Sequence, residues 1–186
     1  MAARPDYPLT LLTEQEFLEI TFGDLKAELE HGVIRMMAGA KARHNKVALN
    51  IQFALMRRLQ GTGCTPYGPD QGIRTVERTI RYPAVAVLCG HDGSNDDDVR
   101  LFDDPRVLFE IASAGTFRTD VREKLLEYRA LTSVDTIVLV DIGTERVRVV
   151  QRIGPDGWSD VGHQAAFDIP LPSLGITLPH AEIFAR

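Results

Sequence analysis

The chain has 186 residues, 44% of them hydrophobic, which is material for one domain over 1–186 with a sizeable core. A net charge of −5 argues against tight, charge-driven binding to nucleic acid as a whole. Basic residues still gather locally, at Lys41, Arg43, Lys46, Arg57 and Arg58, and again at Arg118, Arg122 and Arg129. No apolar run reaches membrane-spanning length, and no apolar signal core opens the chain. The two cysteines, Cys64 and Cys89, suggest neither a disulfide framework nor a CxxC knuckle, so the expected compartment is a reducing cytoplasm.

Residues 1 to 12 read as an extended tail. Thr13 and Glu16 have capping-box spacing, which predicts a short helix to about Ile20. Strand-like pieces at 26–29 and 33–37 flank a turn at His31-Gly32. The longest predicted helix runs from Lys41 to Gln60 and carries two apolar stripes: Val47, Ile51, Ala54 and Leu55 on one side, Leu49, Phe53 and Met56 on the other. A helix of that pattern is covered twice, which predicts a homodimer, or more simply cover from the N-terminal helix. Strands are predicted at 64–67, 72–76, 79–82 and 84–89, and 90–104 reads as a solvated acidic loop.

The run from Val107 to Ala112 is apolar on both faces, as in a strand buried inside a sheet, yet Glu110 sits in its middle. An unpaired carboxylate there would be costly, so a cation is expected beside it. The next stretch supplies one. On a helix starting near Phe117, an apolar arc of Phe117, Val121, Leu125, Tyr128 and Leu131 contains Lys124, while Asp120 lies near its edge. Glu123 and Glu127 are predicted to point away. The alternative is a Lys124 that snorkels past the arc, with Glu110 marking a strand end. Strands follow at 136–141, 146–152 and 158–161, then a proline-punctuated tail expected on the surface with a last short helix. The sum is an α/β (α+β) fold: a mixed β-sheet flanked by helices, with added β-hairpins.

Three stretches, GDLKAELEHGVIRMMAGAKARH, RYPAVAVLCG and VLFEIASAGTFRTDVREKLLEY, together resemble the bacterial Uma-two family of putative restriction endonucleases, a branch of the PD-(D/E)XK nuclease superfamily. The resemblance extends from about Thr13 to Ile183. Its most specific block is carried by Glu110, Ser113, Thr116, Asp120, Lys124 and Tyr128, joined by Tyr82-Pro83 and His44. It implies a restriction-endonuclease-like core that cleaves DNA with Mg²⁺ or Mn²⁺. Glu110 would be the metal-binding acid, Lys124 the catalytic lysine, Glu28 a further acid for the metal, and His44 the family's histidine. The Tyr128 hydroxyl could hydrogen-bond a phosphate or a catalytic group, or the ring could simply be core.

One position departs from that pattern. Where the family carries a metal-binding Asp after Tyr82-Pro83, this chain has Ala84, whose methyl group ligates nothing. Metal binding is therefore expected to be weak, activity lowered or lost, and Lys124 left with Glu110 as its main partner. Asp70, Glu28, Asp92 and the Asp96–Asp98 run are candidate substitutes. The contrasting reading is a non-catalytic nucleic-acid-binding or assembly module that keeps the nuclease fold.

Overall fold

A computed structural model describes residues 10–91, 98–112 and 120–186, with Asp120 described by its backbone alone. The predicted capping box opens α1 (Glu14–Glu19): the Thr13 hydroxyl accepts from the Glu16 N–H at 3.2 Å, and the Glu16 carboxylate accepts from the Thr13 N–H at 2.8 Å. A hairpin follows, β1 (Ala27–Glu30) and β2 (Val33–Met36). His31 and Gly32 both take left-handed backbone, the geometry a two-residue hairpin turn favours. The long helix α2 (Ala42–Leu59) leads to β3 (Cys64–Tyr67), β4 (Gly72–Arg74), β5 (Ile80–Arg81), β6 (Val85–Cys89) and β7 (Leu101–Phe102). The buried strand β8 (Val107–Ala112), helix α3 (Asp120–Ala130) and strand β9 (Thr136–Asp141) form the centre. Strands β10 (Arg146–Arg152), β11 (Trp158–His163), β12 (Ile169–Leu171) and β13 (Ile176–Leu178), then α4 (His180–Ile183), complete the chain.

The strands form a five-stranded sheet, β2-β1-β5-β4-β7, a six-stranded sheet, β11-β10-β9-β8-β6-β3, and a separate hairpin, β12-β13. In the larger sheet β8 and β9 run parallel, with α3 between them in sequence, while β6 pairs antiparallel with β8. The expected mixed sheet flanked by helices is therefore present. The chain passes from the smaller sheet to the larger one through Tyr82, Pro83 and Ala84, so the ends of β5 and β6 meet at the junction of the two sheets.

Alternation along β8 sorts the core. Val107, Phe109 and Ile111 share a cluster with Val47, Ile51 and Leu55 of α2. Leu108 lies with Val121, Leu125 and Tyr128 of α3 on the other face, and Glu110 shares that side by its period of two. No helix among the described residues is long and apolar enough to cross a membrane.

Four expectations are corrected. Cys64 and Cys89 are paired: they are directly opposite in the β3–β6 register and form a disulfide. The argument for a reducing compartment from unpaired cysteines falls away with that pairing. The loop over 90–104 contains β7, which runs parallel beside β4. The tail is core rather than surface, since Ile169, Leu171, Leu178 and Ile183 are fully buried in the cluster of α2. Helix α1 does not cover the second stripe of α2; it packs through Phe17 on β1 and β5, leaving Leu49, Phe53 and Met56 at 64%, 63% and 56% exposure. The tail up to residue 9 lies outside the described residues.

The disulfide has a measurable consequence. Closing a loop with a sequence separation of 25 restricts the unfolded chain, so Cys64→Ser with Cys89→Ser should lower stability by about 3 kcal/mol in urea unfolding under oxidising conditions. Equal midpoints for the two proteins would mean that the thiols stay apart in solution.

Candidate active site

The site is assembled where the two sheets meet. On β1, Ala27 and Leu29 enter the apolar cluster with Phe17 and Ile80, so alternation turns Glu28 and Glu30 to the opposite side. Arg81, on the neighbouring strand β5, points to that same side and is 1% exposed. Its Nη1 donates to Glu28 at 3.1 Å and to Glu30 at 3.3 Å. Its Nε and Nη2 form a two-pronged contact with Glu127 of α3, at 2.8 and 2.6 Å. This is the planar fork geometry that suits guanidinium to carboxylate. The Thr75 hydroxyl donates to the same Glu127 carboxylate at 3.0 Å.

The second half of the site comes from α3 and β8. Lys124 Nζ donates to Glu28 Oε1 at 2.8 Å and lies 3.4 Å from Glu110 Oε1. The Tyr128 hydroxyl donates to that Glu110 oxygen at 2.6 Å. The backbone N–H of Tyr82 donates to Glu28 Oε1 at 3.1 Å. Lys124, Glu127 and Tyr128 reach one region because positions three and four apart share a helix face. Glu110, Lys124, Glu28, Arg81 and Glu127 are thus joined in one continuous chain of contacts.

Glu110 and Lys124 share one pocket, as expected, but among the described residues Lys124 sits nearer to Glu28 than to Glu110. Glu127 is a second correction: it is buried and paired with Arg81, not turned to solvent. Arg81 itself was not singled out from the sequence. Its partner carried a faint signal, since Glu127 lies about 60° from Lys124 around the helix axis, near enough to share its face. Arg81 carried none, because its strand order depends on pairing with β1.

Burial opposes the charge on Arg81, but the Glu127 and Glu28 carboxylates outweigh it and hold its pKa above the ordinary arginine value. Burial also raises the Tyr128 pKa well above its usual value, reinforced by the charges of Glu110 and Glu28, so the hydroxyl stays a donor. The Tyr128 ring is fully buried in the core while its hydroxyl serves Glu110, which satisfies both sequence readings of this residue in part.

A cleft of about 1040 Å³ opens over these groups, bordered by Glu28, Arg81, Ala84, Glu110, Lys124 and His44. His44 Nε2 lies 3.1 Å from the Ile111 carbonyl oxygen, on the strand that carries Glu110, and its Nδ1 is buried without a hydrogen-bond partner. Asp70 does not reach this cleft; its side chain is 84% exposed and pairs with Lys26. Ser113, Thr116, Asp92, Asp96, Asp97 and the side chain of Asp120 lie outside the described residues, and Asp98 is exposed. Among the described residues, no group of three or more His, Cys, Asp or Glu side chains could hold a metal ion.

Comparison with known proteins gives the family and the fold. Residues 14–180 match the Uma2 family, described as putative restriction endonuclease. An uncharacterized protein of Synechocystis sp. is 25% identical over 134 residues, which are 72% of this chain and 76% of that protein. The fold is shared with a crystal structure from Anabaena variabilis, titled a putative nuclease belonging to DUF820. That comparison has a TM-score of 0.74 at 16% identity and covers 94% of this chain and 98% of that one.

Removing either cation takes a charge partner from buried acids that keep only their remaining contacts. Arg81→Met strips Glu127 of its fork and Glu28 of one contact, and Lys124→Ala strips Glu28 and Glu110. Each should cost roughly 3–5 kcal/mol in chemical denaturation. A loss under about 1 kcal/mol would mean that water reaches these carboxylates in solution.

Proposed function

We propose that this chain, which belongs to the Uma2 family of putative restriction endonucleases, is a DNA endonuclease by descent whose metal-dependent phosphodiester hydrolysis is weakened or lost at Ala84. The observation that carries the reading is the place of that methyl group, on the wall of the same cleft as Glu28, Glu110 and Lys124. Mg²⁺ or Mn²⁺ is held by hard oxygen ligands, commonly one or two carboxylates with waters and substrate phosphate, and at such a site would activate the attacking water.

The donor set at hand does not fit such an ion. Glu28 receives Lys124 and the Tyr82 N–H on one oxygen and Arg81 on the other. Glu110 receives Tyr128 and faces Lys124. The third acid that the resemblance calls for is absent. What the chain's own residues supply is a lysine held in place by two carboxylates and a histidine at the cleft wall, which can orient a phosphate group but leave hydrolysis without a strong positive centre.

A second reading, a non-catalytic module for nucleic-acid binding or assembly, draws support from the open stripe on α2. Leu49, Phe53 and Met56 form an exposed apolar band of the kind that marks an interface between copies of a chain. The proposed assembly is a homodimer. Phe53→Glu should shift the protein from dimer to monomer in light scattering. A native chain that is monomeric at tens of micromolar would remove the dimer.

Plasmid nicking tests the main reading. The native chain should nick supercoiled DNA little or not at all with Mg²⁺ or Mn²⁺, and Ala84→Asp should raise the rate at least tenfold. Identical rates in the two proteins, whether high or absent, would locate the defect or the metal elsewhere.

A further inference from the structure

Beside the main cleft lies a smaller recess of about 160 Å³, walled in part by Phe17, Phe22, Leu25, Lys26, Asp70 and Tyr82. Leu25, Lys26 and Tyr82 border both cavities, so the recess adjoins the cleft that carries Glu28 and Lys124. We infer that this recess receives one unpaired nucleobase of the strand whose phosphodiester lies in the cleft. The inference rests on the nucleic-acid reading above and adds a binding site to it.

Size, lining and position all bear on the occupant. The recess is well below the roughly 300–1,000 Å³ of sites for drug-sized ligands, and suits a single ring system. Its walls are aromatic and aliphatic: the partly exposed Phe22 ring rests on the buried Phe17 ring, 5.5 Å away at 43°, and Tyr82 is half-buried against the same cluster. Nucleobases stack on such surfaces, and enzymes that handle single bases take them out of the helix into small pockets. At the rim, the Lys26–Asp70 ion pair presents an ammonium donor and a carboxylate acceptor, with side chains 53% and 84% exposed. Those are the two kinds of group that read the edge of an unstacked base. Arg100, also at the wall, is committed to the Leu18 carbonyl at 2.7 Å.

Tyr82 couples the two cavities. Its N–H is fixed on Glu28 at 3.1 Å, while its side chain borders the recess, so a base seated there lies next to the acid at the phosphate site. A chain of net charge −5 gains little affinity from general attraction to phosphate, and stacking supplies affinity that is independent of that charge.

The test uses the full chain and a fluorescein-labelled single-stranded oligonucleotide, intact or carrying one abasic site at its centre, with 2-aminopurine at that position as a second probe. The intact strand should bind roughly tenfold more tightly in anisotropy, and 2-aminopurine fluorescence should change on binding. Phe22→Leu, which keeps apolar volume and removes one ring, should shrink the difference and leave the abasic affinity unaltered. Equal affinities of the native chain for intact and abasic strands would overturn the recess as a base site while leaving the nuclease reading in place. Failure to bind either strand at low salt would overturn the recess as a base site, while the nuclease reading, which concerns duplex DNA, is decided by plasmid nicking. The comparison of strands uses the native protein, so it decides the matter even where Phe22→Leu does not fold.

Discussion

A guanidinium with almost no access to water is the fixed point of this molecule. Arg81 reaches Glu28 and Glu30 on the adjacent strand and Glu127 on helix α3. Each partner lies in a place that a chain avoids unless the charge is matched. Burying such a group costs several kcal/mol before any contact is counted, and the two-pronged geometry to Glu127 offsets that cost. The arrangement helps to specify how β5, β1 and α3 sit together, because a shift of one residue along a strand would turn the side chain to the other face.

Lys124 extends that ionic chain to the buried strand β8. Its ammonium is shared by Glu28 and Glu110, with Tyr128 completing the second carboxylate. With Ala84 on the cleft wall, the two cations, Arg81 and Lys124, are shared among four carboxylates, those of Glu28, Glu30, Glu110 and Glu127. Glu28 and Glu110 serve here to satisfy a buried lysine.

Local pattern carried a good part of this. The capping box, the apolar strand with Glu110, the helix face bearing Lys124 and Tyr128, and the long two-striped helix are all set by residues close in sequence, where periods of two and 3.6 apply. Contacts between remote segments did not show. Arg81 and Glu28 are 53 residues apart and meet through the β1–β5 pairing. Cys64 and Cys89 meet through strand register, β7 is a two-residue strand defined by its neighbour, and the proline-rich tail is buried because α2 offers it an apolar wall. Helical periodicity turns Glu127 toward water, but a buried cation from the other sheet, Arg81, draws it inward.

The passage from one sheet to the other through Tyr82, Pro83 and Ala84 has a thermodynamic side. Residues on both sides of that junction hold charges whose partners belong to the other side: Glu28 from the smaller sheet with Lys124, and Glu127 from the helix of the larger sheet with Arg81. Prising the layers apart would break the Glu28–Lys124 and Arg81–Glu127 pairs, leaving Arg81 with Glu28 and Glu30 on one side and Lys124 with Glu110 on the other. These two cross-junction pairs tie the melting of one layer to that of the other, and segments that carry none of these charges are the ones left to open locally.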